Sequence, residues 1–175
     1  WHAGKSCWGK HKNINKNSIG IELVNKGHQY GYTNFTTRQL QSLTKLCKIL
    51  IKKYKVKKNY IIGHSDVAPL RKLDPGEKFP WKSLHKNKIG IWHNFDKKFL
   101  KKNRKKKLSI TYKKRFFLKN LSVIGYCLST KKKLYLKKII KAFQRHFRPE
   151  LINGVIDEET FVIAQNLAKK AVKKT

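Results

Sequence analysis

Nine acidic side chains stand against 43 lysines and arginines in this chain, so each acid is worth locating. Glu22, Asp66 and Asp74 lie in the stretches least dominated by lysine. His64 and Asp74, ten residues apart on one proline-punctuated loop, offer a nitrogen and an oxygen of the kind zinc accepts. A catalytic zinc takes three protein ligands and keeps a fourth position for water, so a third ligand must come from elsewhere. Lys72, two residues before Asp74, is placed to set an ammonium beside a developing oxyanion. Glu22, in apolar surroundings, is the candidate base for acting on water. Spacing alone leaves other readings open: His64 as a satisfied core histidine, Glu22 as a paired buried carboxylate, and Lys72 with Asp74 as a surface ion pair.

Certain elements must position these groups. The run Asn17–Val24 is apolar and β-branched between polar flanks, which predicts a mostly buried strand carrying Glu22. Leu40, Leu43, Cys47, Leu50 and Tyr54 recur at spacings of three and four, and Thr36 with Gln39 fits a capping box, so a helix is expected from Thr36. Tyr60–Ile62 reads as a short second strand, and the Gly63–Trp81 stretch, with Pro69, Pro75, Gly76 and Pro80, as a loop. Strand, helix and strand predict a mixed α/β sheet with flanking helices over residues 1–95. Between Lys97 and Pro149 there is no acid, and residues 96–116 read as a basic linker. Apolar periodicity returns in Phe117–Tyr126, Leu136–Phe147 and Thr160–Leu167, which predicts a small three-helix domain over 117–175. Asn153-Gly154 supplies the turn before its last helix, whose N-terminal dipole favours the charges of Asp157, Glu158 and Glu159.

With 175 residues the chain accommodates one ordinary domain, or an incomplete one and a small second one. Its formal charge of +34 points to an anionic partner or surface, while 39% hydrophobic residues exclude a purely disordered polycation. No apolar run is long enough for a spanning helix. Cys7, Cys47 and Cys127 are odd in number and widely spaced, forming neither a dense disulfide framework nor a CxxC metal site, and they leave the redox compartment open. The chain has no Met and opens on Trp1, so it is expected to be a fragment or a processed form.

Five blocks carry a family resemblance: Trp1-His2-Ala3-Gly4, Ser18-Ile19-Gly20-Ile21-Glu22, Gly63-His64-Ser65-Asp66-Val67-Ala68-Pro69, Arg71-Lys72-Leu73-Asp74-Pro75-Gly76 and Phe79-Pro80-Trp81. In this order they resemble the zinc-dependent N-acetylmuramoyl-L-alanine amidases, the AmpD/AmiD-like type 2 amidases, related in fold to peptidoglycan recognition proteins. Ala142–Pro149, followed by Asn153-Gly154 and Asp157–Thr160, is similar to the small helical peptidoglycan-binding domain that follows the catalytic domain in AmiD-type enzymes. The resemblance implies a Zn2+ cofactor with His64 and Asp74 as two of three ligands, Glu22 as acid/base, Lys72 steadying the transition state, and Ala68 beside a bound muropeptide. The implied reaction is hydrolysis of the amide joining the lactyl group of N-acetylmuramic acid to L-alanine, in peptidoglycan or muropeptides.

The family's first histidine ligand belongs to a strand upstream of the WHAG block. His2 is not that ligand by motif, and His11 or His28 would be improvised substitutes. Leu70 stands where the family has a glycine between Pro69 and Arg71. One alternative is therefore a peptidoglycan-binding protein without catalysis. Another is a basic nucleic-acid-binding protein, but only six of the 43 basic residues are Arg, and lysine accompanied by abundant Asn and Ile looks like compositional drift rather than bidentate phosphate recognition. The extra helical domain favours the periplasm or an outer-membrane association over the cytoplasm.

Overall fold

A computed structural model describes residues 1–108, 111–128 and 133–172. Residues 109–110 of the expected linker, and 129–132 and 173–175 of the expected helical domain, lie outside the described residues. The fold is mixed α/β with a small sheet and flanking helices, as expected. That sheet is a two-stranded antiparallel ribbon, β1 (Cys7–Trp8) with β2 (His11–Lys12), in the register Cys7 to Lys12 and Trp8 to His11.

The segment 18–26 is not assigned to a strand, nor is 61–63, where a 3-10 turn (Lys58–Tyr60) precedes irregular backbone. The apolar run Asn17–Val24 has the composition of a strand, but composition supplies no hydrogen-bonding neighbour, and no described strand runs beside it. Ile19, Ile21 and Val24 are exposed as a result. The mostly buried strand expected there is corrected to a largely exposed segment with no strand pairing among the described residues, from which Leu23 alone of its apolar side chains packs against the core.

The first helix, α1 (Thr37–Tyr54), forms where the spacing places it. Gln39 N donates to Thr36 Oγ1 at 3.2 Å and Thr36 N donates to Gln39 Oε1 at 2.9 Å, so both ends of the capping box are closed. Leu43 and Cys47, one turn apart, are its buried residues, whereas Tyr54 is exposed. Within the Gly63–Trp81 stretch a four-residue helix, α2 (His64–Val67), interrupts the expected loop, and α3 (Trp81–Lys86) follows its last proline. The basic run contains α4 (Lys97–Asn103), opened by Asp96, whose carboxylate accepts from Phe99 N at 2.8 Å.

Three helices then build the main core: α5 (Thr111–Ile124), α6 (Lys133–Phe147) and α7 (Glu158–Val172). Phe117 and Leu121 from α5, Phe143 and Phe147 from α6, and Ile163 and Leu167 from α7 are essentially sealed from solvent. At their helical spacing these residues form the stripes that face inward. Asp157 caps α7, accepting from Thr160 N at 2.9 Å, while Glu159 is fully buried. Arg104 clamps Glu159 through two bonds of 2.8 Å, and Arg148 reaches Asp157 at 2.9 Å and Glu159 at 3.2 Å. These acids therefore pair with the buried Arg148 guanidinium, and Glu159 also with the partly buried Arg104, as well as meeting the helix dipole.

Candidate functional site

The Gly63–Gly76 segment is folded back on itself so that its two ends touch. Ser65 N donates to Asp74 O at 2.9 Å, Arg71 N and Lys72 N both donate to Ala68 O at 3.1 Å, and the Asp74–Pro75 peptide is cis. Gly63 is needed here for room, since a Cβ at that position would meet Pro75 Cδ at 2.8 Å and the Trp81 ring at 3.2 Å. This fold-back sets His64 Nδ1 3.0 Å from Asp74 Oδ2.

The WHAG block packs against the same loop. Ala3 O lies 3.3 Å from His64 Nε2 and accepts from Arg71 Nη2 at 2.5 Å, and Arg71 also reaches Lys5 O at 3.1 Å. Burial pushes the Asp74 carboxyl up, but the His64 hydrogen bond and charge, with Lys72 nearby, outweigh it and hold the carboxyl below its ordinary value. The result is an imidazole, a carboxylate that stays ionised and a lysine charge, all on a loop braced by backbone hydrogen bonds.

A family model described as N-acetylmuramoyl-L-alanine amidase matches residues 1–77. The solved complex of AmiD from E. coli with the substrate anhydro-N-acetylmuramic acid-L-Ala-D-gamma-Glu-L-Lys superposes with a TM-score of 0.85 at 36% identity, covering 97% of this chain and 68% of that one. This chain belongs to the N-acetylmuramoyl-L-alanine amidase family. The N-acetylmuramoyl-L-alanine amidase AmiD of Escherichia coli (strain K12) is 37% identical over 179 residues, 97% of this chain and 63% of that protein. The 1,6-anhydro-N-acetylmuramyl-L-alanine amidase AmpD of Haemophilus influenzae is 42% identical over 82 residues, 46% of this chain and 42% of that protein. The chain thus spans less than two thirds of the length of these curated relatives.

Against the amidase pattern, the structure brings His64, Asp74 and Lys72 together and does not bring Glu22 into contact with them. Glu22 is exposed and makes no hydrogen bond or ion pair among the described residues, so the reading of it as a buried carboxylate is corrected. Ala68 is 4% exposed and closes α2. Leu70, in the glycine position, is half-exposed, and its carbonyl accepts from Lys138 Nζ at 3.0 Å, so the bulkier residue is carried outward.

An imidazole nitrogen and a carboxylate oxygen 3.0 Å apart are donors of the type zinc takes, and they fit as two members of a ligand set. No described group of three or more His, Cys, Asp or Glu side chains is arranged to hold a metal ion. His2 Nε2 bonds Ser18 Oγ at 2.8 Å, the His11 ring meets Tyr60, and His28 pairs with Glu77 at 3.0 Å, so none of these joins His64 and Asp74.

Three supporting residues carry no role in the sequence reading. Asp66, 2% exposed, accepts from Gly63 N at 2.8 Å and Tyr126 Oη at 2.6 Å, and lies 2.7 Å from His146 Nδ1. Burial, and then the Asp66 charge, hold the Tyr126 phenol protonated well above its ordinary range. Asp66 was visible as one of the few acids outside lysine-rich sequence, and His146 lies inside the Ala142–Pro149 block. Nothing in the spacing couples residues 60 and 80 positions apart.

Proposed function

We propose that the protein hydrolyses the amide between the lactyl group of N-acetylmuramic acid and L-alanine, in muropeptides or peptidoglycan, as a zinc-dependent amidase of cell-wall turnover. The observation that carries this reading is the His64–Asp74 pair, held 3.0 Å apart on the braced loop with Lys72 beside it. The relatives' substrates support it: AmiD of E. coli has been solved in complex with an anhydromuramoyl tripeptide, and AmpD is named for the 1,6-anhydro sugar.

His64 Nδ1 and Asp74 Oδ2 would hold the zinc together with a third donor. Bound there, zinc supplies Lewis-acid polarisation of the scissile carbonyl and makes water acidic enough to react near neutral pH. Glu22, exposed and unpaired among the described residues, accepts the proton from the attacking water and passes it to the departing amine of L-alanine. The Lys72 ammonium stabilises the oxyanion that develops on the carbonyl oxygen. Ala68 borders the muropeptide through its small exposed part.

Residues 117–175 serve in this reading as a peptidoglycan-binding domain joined through the basic stretch 96–116, and the protein works in the periplasm, associated with the outer membrane. The Cys7–Cys127 disulfide supports an oxidising compartment.

The test is incubation of the full-length protein with an anhydromuramoyl tripeptide and mass-spectrometric detection of products. Release of free tripeptide and anhydro sugar is expected. Sedimentation with purified wall but no release would replace the enzyme by a wall-binding protein, and binding to DNA that falls steeply with salt, without wall binding, would favour the nucleic-acid alternative.

A further inference from the structure

The metal loop does not hold its shape alone. His64 opens a helix of four residues, too short to be stable by itself, and its starting turn is closed by the Asp66 carboxylate through Gly63 N at 2.8 Å. A carboxylate with 2% exposure cannot turn to water for its remaining bonds, so the partners it finds in the protein decide where it sits.

Both remaining partners come from the helical part of the chain. Tyr126 Oη, just beyond α5, donates to Asp66 Oδ1 at 2.6 Å, and His146 Nδ1, in α6, donates to Asp66 Oδ2 at 2.7 Å. Each is itself fixed. The His146 ring is stacked between Trp81 and Phe147, with centroids 3.9 Å away on both sides. Tyr126 lies edge-on to Trp8 at 4.9 Å, and its neighbour Cys127 is bonded to Cys7. Three donors from three parts of the fold thus converge on one carboxylate two residues after His64.

We infer that Tyr126 and His146 are positioning residues of the metal loop, acting through Asp66, so that the helical unit is a structural part of the amidase site as well as a wall-binding appendage. This rests on the amidase reading given above. It predicts that zinc affinity, and not only fold stability, depends on residues of α6 and the end of α5.

The experiment titrates zinc into the full-length protein against a competing chelator, with circular dichroism and steady-state kinetics alongside. His146→Phe keeps the stack and loses the bond, His146→Asn keeps a donor near the Nδ1 position, and Tyr126→Phe removes the hydroxyl alone. We expect His146→Phe and Tyr126→Phe to bind zinc about tenfold more weakly and to lose kcat with KM changed less than about twofold, while His146→Asn recovers most of the affinity. Unaltered zinc affinity in both Phe variants, beside an unaltered protein that binds zinc, overturns the inference and leaves the amidase reading standing. Loss of fold in all three variants also overturns it, because the contacts would then serve stability alone. An unaltered full-length protein that neither binds zinc nor cleaves muropeptide overturns both.

Discussion

Tyr126 Oη lies 2.6 Å from Asp66 Oδ1, joining residues 60 positions apart in a contact buried at both ends. Removing the acceptor leaves the phenol, the His146 Nδ1–H and the Gly63 amide without their shared partner. Asp66→Ala is expected to cost about 3–5 kcal/mol, because three buried donors lose their acceptor together at about 1–3 kcal/mol each, partly offset by relaxation. Tyr126→Phe, which deletes one bond to a charged group, is expected to cost about 2 kcal/mol. Urea denaturation at neutral pH measures both.

His93 supplies a pH dependence. Its ring is buried, Nδ1 has no hydrogen-bond partner among the described residues, and burial, followed by the charges of Lys82 and Lys170, brings its pKa down to about 4 from an ordinary 6.5. Between those values the unfolded chain binds the proton more readily than the folded one. Stability is therefore fully present above the unfolded value and falls as pH drops through this window, by about 3 kcal/mol at its end. Denaturation midpoints between pH 7 and 4 should slope downward in the unaltered protein and flatten in His93→Phe.

The Cys7–Cys127 disulfide closes 120 residues of sequence and ties the β1–β2 ribbon to the end of α5, where Gly9 N also donates to Gly125 O at 2.6 Å. Reduction, or Cys7→Ser, is expected to lower stability by about 5 kcal/mol on the loop-closure account. Thermal melts with and without reductant should differ for the unaltered protein and coincide for Cys7→Ser. Cys47, buried in the face of α1 with its thiol pushed up by burial, should resist alkylation until the protein unfolds.

These contacts show where sequence reading reaches and where it stops. The α1 helix was legible because its signals are local: Thr36 and Gln39 lie one turn apart, and Leu43 and Cys47 repeat at the helical period. The His64–Asp74 loop was legible because its prolines and donors lie within a dozen residues. The Cys7–Cys127 pairing was not, since three cysteines at wide spacing admit several pairings and only the fold brings two together. Asp66 was visible as an isolated acid, but its partners come from sequence with no local link to it. The Asn17–Val24 strand failed for the converse reason: β-branched residues describe a strand's surface, whereas pairing requires a neighbour that composition does not provide.

Among the described residues, the Glu22 and Lys72 side chains of the proposed chemistry make no hydrogen bond or ion pair that holds the fold together. Glu22→Ala and Lys72→Ala in the full-length protein are each expected to slow amide cleavage by about 10²–10⁴-fold, with wall binding and melting temperature close to those of the unaltered protein. Product release followed by chromatography, beside a wall-sedimentation assay, separates loss of chemistry from loss of binding. Cleavage that persists at the full rate in Glu22→Ala removes Glu22 from the mechanism.

If His64 and Asp74 serve a metal ion in amide hydrolysis, cleavage of an anhydromuramoyl tripeptide by the full-length protein must depend on that ion, and turnover before and after exhaustive chelation measures this. We predict that turnover disappears on chelation and returns when zinc is restored. Undiminished turnover in metal-free protein would remove the metal from the reaction and leave His64 and Asp74 as a structural pair.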